Sequence, residues 1–138
     1  MRKIEQTLRN AWQSRTTGKY GPRDEIRLGY GSLENGDSVM SLYLHSNEIA
    51  RLNLRTGRTF ITLAGWNTVT TRSRLNHVIL HDAGCAISTS KGIPTVRSLK
   101  CHDITAQRSE TIINDNQWYA VEQLVYPLPD TQSVQPSA

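Results

Sequence analysis

The sequence predicts a small α+β fold, with an N-terminal helix, a small antiparallel sheet, a central helix and a flexible C-terminal tail. Three observations carry that expectation. Apolar residues recur at helical spacing near the N-terminus and again around residues 70 to 80, strand-type alternation fills much of the interval between, and turn residues divide the alternating runs. A chain of 138 residues is one domain's worth, expected over residues 1–126, with 127–138 as the tail.

Residues 2 to 14 place Ile4, Leu8, Ala11 and Trp12 on one stripe of a short helix, with Arg2, Lys3 and Arg9 elsewhere on its surface. The stripe packs on the rest of the chain or pairs with a second copy. "RTTGKYGPR" (15 to 23) reads as a loop, because Gly18, Gly21 and Pro22 interrupt regular structure. "DEIRLGYGSL" then reads as a strand, and Asn35-Gly36 as a hairpin turn.

The next two strands carry the clearest alternation. "SVMSLYLH" sets Met40, Leu42 and Leu44 against Val39, Ser41, Tyr43 and His45, which predicts one core face and one available face. "EIARLNLR" sets Ala50, Leu52 and Leu54 against Ile49, Arg51, Asn53 and Arg55. Arg51 and Arg55 are thus expected beside Tyr43 on a basic face with a ring in it, although a solvated sheet face has the same polarity. Thr56-Gly57 turns the chain into the strand "RTFITLAG".

Leu75, Val78 and Ile79 mark the central helix, which "DAG" (82 to 84) ends. "CAISTSKGIPTVRSLKCHDI" is strand-like in pieces, and "TIINDNQWYAVEQLVY" reads as a hairpin turning at Asn114 to Asn116. The final twelve residues hold three prolines among small polar residues and cannot bury enough to fold.

Charge is segregated. Residues 1 to 30 carry seven cations against three carboxylates, residues 48 to 80 five against one, and from Glu110 onward there is no lysine or arginine. Arginine outnumbers lysine 12 to 4, and arginine grips phosphate with two parallel bonds and stacks on flat rings. The N-terminus has Glu5 and Gln6 where a secretory signal needs apolar residues, and no run approaches membrane-spanning length. A cytoplasmic protein with no membrane partner is expected, and Cys85 and Cys101 are too few for a disulfide scaffold.

"GWNTVTTRSRLN" (65 to 76) concentrates candidate binding residues. Thr70 or Thr71 can cap the helix, yet Arg72 and Arg74 put cations in a first turn that already carries the positive end of the dipole. Free amides, the hydroxyls of Thr68, Thr70 and Thr71, and two guanidiniums suit a phosphate, with Trp66 as a stacking face. The same residues are also accounted for if Trp66 is core and the arginines pair with distant carboxylates.

"YLHSNEIARLNL" followed by "GWNTVTTRSRLN" resembles a block in Drc-like single-stranded-DNA-binding RNA polymerase cofactors of podovirus-type lytic phages. The matching positions are Tyr43, His45, Asn47, Trp66, Thr68, Thr70, Thr71, Arg72, Arg74 and Asn76, within a 34-residue stretch. The resemblance implies a fold unlike the usual oligonucleotide-binding barrel, a preference for single strands, and work beside a phage RNA polymerase in the infected host cell.

Two other readings compete. His77, His81, Cys85 and Cys101 supply four zinc-type ligands for a small interaction module, although no Cys-x-x-Cys knuckle accompanies them. An enzyme is disfavoured, since the aspartates are scattered and no phosphate loop or dinucleotide fingerprint occurs. The expectation is therefore a binding protein without cofactor, with Arg51, Arg55, Arg72 and Arg74 on phosphates, Thr68, Thr70 and Thr71 as hydroxyl donors, and Tyr43 and Trp66 stacking. The acidic last quarter is a candidate polymerase contact, and a homo-oligomer paired through the Trp12 helix would gain affinity.

Overall fold

In the computed structural model, which describes residues 2–29, 37–98 and 109–125, the chain is α+β with two antiparallel sheets. The Asn35-Gly36 turn, Cys101, His102 and the 127–138 tail lie outside the described residues.

Helix α1 (Lys3–Gln13) forms on the expected stripe, and Leu8, Ala11 and Trp12 are buried. It packs on the second half of the central helix, where the Arg9 guanidinium donates to the His77 carbonyl at 2.7 Å. Trp12 is 6% exposed, so pairing of two copies through an open Trp12 face is overturned: the chain's own core occupies that stripe.

The larger sheet has the order β1 (Gly18–Lys19), β2 (Asp24–Gly29), β3 (Val39–Leu44), β4 (Asn47–Asn53), β5 (Thr59–Ile61) and β9 (Tyr119–Ala120). The smaller has the order β6 (Cys85–Ser90), β7 (Ile93–Ser98), β8 (Ser109–Ile112). The expected hairpin over residues 111 to 126 does not form. Instead β8 closes the smaller sheet against β7, β9 crosses to pair with β5, and α3 (Val121–Val125) follows. One apolar cluster joins both sheets to the helices, from Leu8 and Ile26 through Leu75 and Leu80 to Ile87, Val96 and Leu124.

The alternation in β3 and β4 holds only in part. Between β3 and β4 the register shifts, with Leu42 opposite Ala50 but Tyr43 opposite Glu48, so Ile49 is the extra residue of a bulge. Ile49 and Ala50 both enter the core, and Glu48 and Arg51 come to one face. On the β3 face expected to be available, Val39 and Ser41 are buried. Trp118 lies over that side, with the Arg51 guanidinium 5.0 Å from its ring and Arg51 paired across from Ser41.

The central helix starts earlier than expected. Thr68 is its cap, accepting the Thr71 amide at 3.1 Å, and α2 (Val69–Arg74) runs directly into a π-helical segment, Leu75–Leu80. The wider i→i+5 turn brings Leu75 and Leu80 to one face, both 0% exposed. Asn76 then serves as a strand edge, donating to the Ile87 carbonyl at 2.9 Å and accepting the Ile87 amide at 2.7 Å, which fastens β6 to the helix.

Candidate functional site

Residues far apart in the sequence converge on a cleft of about 410 Å³, lined by Leu44, His45, Asn47, Ile49, Leu63, Trp66, Thr68, Thr70 and Thr71. The β3–β4 turn supplies one wall and the approach to α2 the other. Leu44, Ile49 and Leu63 are buried, so its floor is the edge of the core, and His45, Asn47 and the threonines add polar groups. That composition and size match small-molecule sites, which run from about 300 to 1,000 Å³ and are mostly apolar with a few polar groups.

Trp66 stands on this cleft at 57% exposure, beside Val69 at 65%. Its position follows from a sharp bend at Ala64 and Gly65, both at positive φ. A methyl group on Gly65 would sit 2.7 Å from Asn116 Oδ1, and the Gly65 amide donates to the Asp115 carbonyl at 2.8 Å. The acidic last quarter thus braces the turn that presents Trp66, and its Glu110 and Glu122 pair with Arg97 at 3.0 Å and Arg58 at 2.7 Å.

Among the threonines, Thr68 and Thr71 are engaged with one another at 3.0 Å between hydroxyls, while the Thr70 hydroxyl has no side-chain hydrogen bond among the described residues. Capping by Thr68 moves Arg72 to the fourth helical position and Arg74 to the sixth, which removes most of the dipole conflict. Arg72, half-buried, donates to Asn67 Oδ1, and Asn67 in turn donates to the Gly92 carbonyl at 3.3 Å.

Arg74 turns inward. It is 6% exposed, with Nε 2.7 Å from Asp24 Oδ1 and Nη1 2.9 Å from Glu5 Oε2, and Ser73 donates to the same Glu5 oxygen at 2.6 Å. Burial alone would push the Glu5 carboxyl up, but hydrogen bonds from Ser73, the Arg2 amide and Arg74 outweigh it and hold the group below its ordinary value. Burial opposes the Arg74 charge as well, and the two carboxylates outweigh that and raise its pKa. This seam joins α1, β2 and α2 beneath the cleft.

The remaining expected residues are dispersed. Arg51 forms a two-bond pair with Glu48 at 2.7 and 2.8 Å. Arg55 does the same with Asp37 at 2.8 and 2.9 Å, which with an Asn53 bond holds the Asp37 carboxyl below its usual range. Neither lines the cleft. Tyr43 lies on a neighbouring groove, with the Arg27 guanidinium 4.4 Å from its ring.

That groove, of about 420 Å³, is lined by Lys19, Gly21, Pro22, Arg23, Asp24, Glu25, Arg27, Tyr43, His45 and Ser46. Sequence reading missed its cations because Lys19 and Arg23 sit in a stretch recognisable only as a loop. His45 belongs to both clefts. It and Ser46 form the two-residue β3–β4 turn with φ of 53° and 66°, a left-handed geometry that costs non-glycine residues roughly 1–2 kcal/mol each.

Of the zinc candidates His77, His81, Cys85 and Cys101, the last lies outside the described residues. Among the described residues no three His, Cys, Asp or Glu side chains converge. Cys85 is buried in the apolar core, and the His81 ring contacts Gln13 at 3.3 Å and Asp82 at 3.0 Å.

A family model described as Kyanoviridae Gp96 protein matches residues 1–110. The chain belongs to this Kyanoviridae Gp96 family. It is therefore a phage protein, and every residue lining the two clefts falls within the part matched to the Gp96 model. No curated protein and no solved structure matches the chain. No helix among the described residues is long and apolar enough to cross a membrane.

Proposed function

We propose that this Gp96-family protein binds single-stranded DNA, largely without regard to sequence, and serves as a transcription cofactor beside a phage RNA polymerase in the infected host cell. It acts as a binder, not as an enzyme. The observation that carries the reading is the Trp66 cleft: His45, Asn47, Trp66, Thr68, Thr70 and Thr71, all positions of the phage cofactor block, line a single cavity. An exposed indole over an apolar floor suits the flat face of an unstacked base, and stacking of that kind is tolerant of sequence. Duplex DNA keeps its bases paired and would reach only the charges around the rim.

Arg74 has no place in this contact, since two internal carboxylates hold it. Arg72 is the nearest arginine on the helix, and the Thr70 hydroxyl is the threonine donor available to a phosphate. Recruitment of a polymerase rests on the resemblance, and surfaces remote from the cleft are open to it.

The test is fluorescence anisotropy with labelled single-stranded and duplex oligonucleotides of matched sequence, at about 50 and 200 mM salt. Tighter binding of the single strand, weakening with salt, is expected. Equal affinity for both forms, or binding of neither, would remove the reading.

A further inference from the structure

Resting on that single-strand reading, we propose that the Trp66 cleft and the neighbouring groove form one track, in which a base occupies the cleft while the adjoining phosphates lie over Lys19 and Arg23. His45 stands on the ridge between them. The two clefts are lined from the two sides of one turn: Leu44 and Asn47 face the first, Tyr43 and Ser46 the second, and His45 both.

The groove has the charge to hold a phosphate chain. Asp24 is buried and turned into the interior against Arg74 at 2.7 Å, a guanidinium it shares with Glu5, and Glu25 is met by Arg27 at 2.9 Å, so each carboxylate has a cation beside it. Lys19 and Arg23 are exposed and make no ion pair among the described residues. The groove therefore presents two exposed cations, Lys19 and Arg23, beside a cavity whose apolar floor suits an uncharged ring. A nucleotide has that division, and a purely apolar ligand has no use for the second half.

The walls are held in place by backbone. Lys19 lies in β1, paired with Glu25, and the His45 amide donates to the Arg23 carbonyl at 2.8 Å. A control sits in the same molecule: the β6–β7 turn is also left-handed at both residues but is built from Lys91-Gly92, where glycine relieves the second position. At His45-Ser46 the strained geometry is kept with two full side chains, and both border the groove.

The experiment compares full-length wild type, Lys19→Ala/Arg23→Ala, His45→Gly and a charge control, Lys3→Ala/Lys91→Ala, using a labelled oligothymidylate across about 50 to 200 mM salt. The track predicts that Lys19→Ala/Arg23→Ala reduces the log-log salt slope by roughly 1.4, at about 0.7 for each phosphate no longer neutralised, while the control leaves it nearly unchanged. His45→Gly keeps the turn and the fold by circular dichroism and weakens binding severalfold. If wild type binds and Lys19→Ala/Arg23→Ala binds equally well with the same slope, or the control shifts the slope as much, the track is overturned and the Trp66 reading stands. If wild type does not bind, both fall.

Discussion

The rim of the helix start and the seam beneath it are built from the same short stretch, yet they use their charges in opposite ways. At the rim, Thr70 and Trp66 face the cleft, and Arg72 makes a single side-chain bond to Asn67. In the seam, two residues further on, Arg74 is enclosed by Glu5 and Asp24 at 2.9 and 2.7 Å. Two arginines that look equivalent in "TTRSR" therefore do different things. One makes a single part-buried bond to a neighbour five residues away, and the other is a cross-link between three elements whose partners lie 69 and 50 residues away.

Arg74→Ala should break that comparison most visibly. Removing one member of a buried charge network leaves carboxylates uncompensated and costs about 3 to 5 kcal/mol, whereas Arg72→Ala removes one partly exposed hydrogen bond, about 1 kcal/mol. Urea unfolding monitored by circular dichroism measures both. Equal destabilisation by the two substitutions would mean that the seam is no more structural than the rim.

Trp66→Ala sharpens the other side. At 57% exposure the indole contributes little to packing, so the unfolding midpoint should barely move. Affinity for a single strand should fall by about 1 to 3 kcal/mol, the range for one stacked base, with the salt slope preserved because the same phosphates stay neutralised. A large drop in the midpoint with unchanged affinity would make Trp66 a packing residue.

What could be read from sequence follows the same division. Local regularities were legible: the α1 stripe, the strand at β3 with Met40, Leu42 and Leu44 on a core face, and a compact set of ligand-type residues from Trp66 to Thr71 that the fold does bring to one cavity. Partners distant in sequence were not. The Arg74 seam depends on a strand residue and a helix residue that nothing in "GWNTVTTRSRLN" announces. A single bulge residue, Ile49, defeats the period-two rule in β4, and with it the expected basic face: Glu48 moves beside Arg51 and neutralises it. The groove cations were overlooked for a third reason. Lys19 and Arg23 have no periodicity to read, and only the pairing of β1 with β2 and of β2 with β3 brings them beside the Tyr43–Ser46 corner.

The smallest effect concerns pH, and it too separates seam from rim. Glu5, whose ordinary value is 4.5, is held lower in the fold by Ser73, the Arg2 amide and Arg74, so the folded state favours its ionised form. Its contribution is then complete above the unfolded value and is lost as pH falls through the lower folded value, because protonation must precede release from Arg74. Glu5→Gln keeps an acceptor for Ser73 but has no charge to lose. The variant should be less stable than wild type at pH 7, and the gap should close as the solution is acidified below about pH 4.5. Asp37, largely covered and paired with the exposed Arg55, adds an acid limb of its own, but it is present in both proteins and cancels in the difference. A gap that stays constant from pH 7 to 3 would mean that the shape of the Glu5 side chain, and not its charge, is what α1 supplies to the helix beneath the cleft.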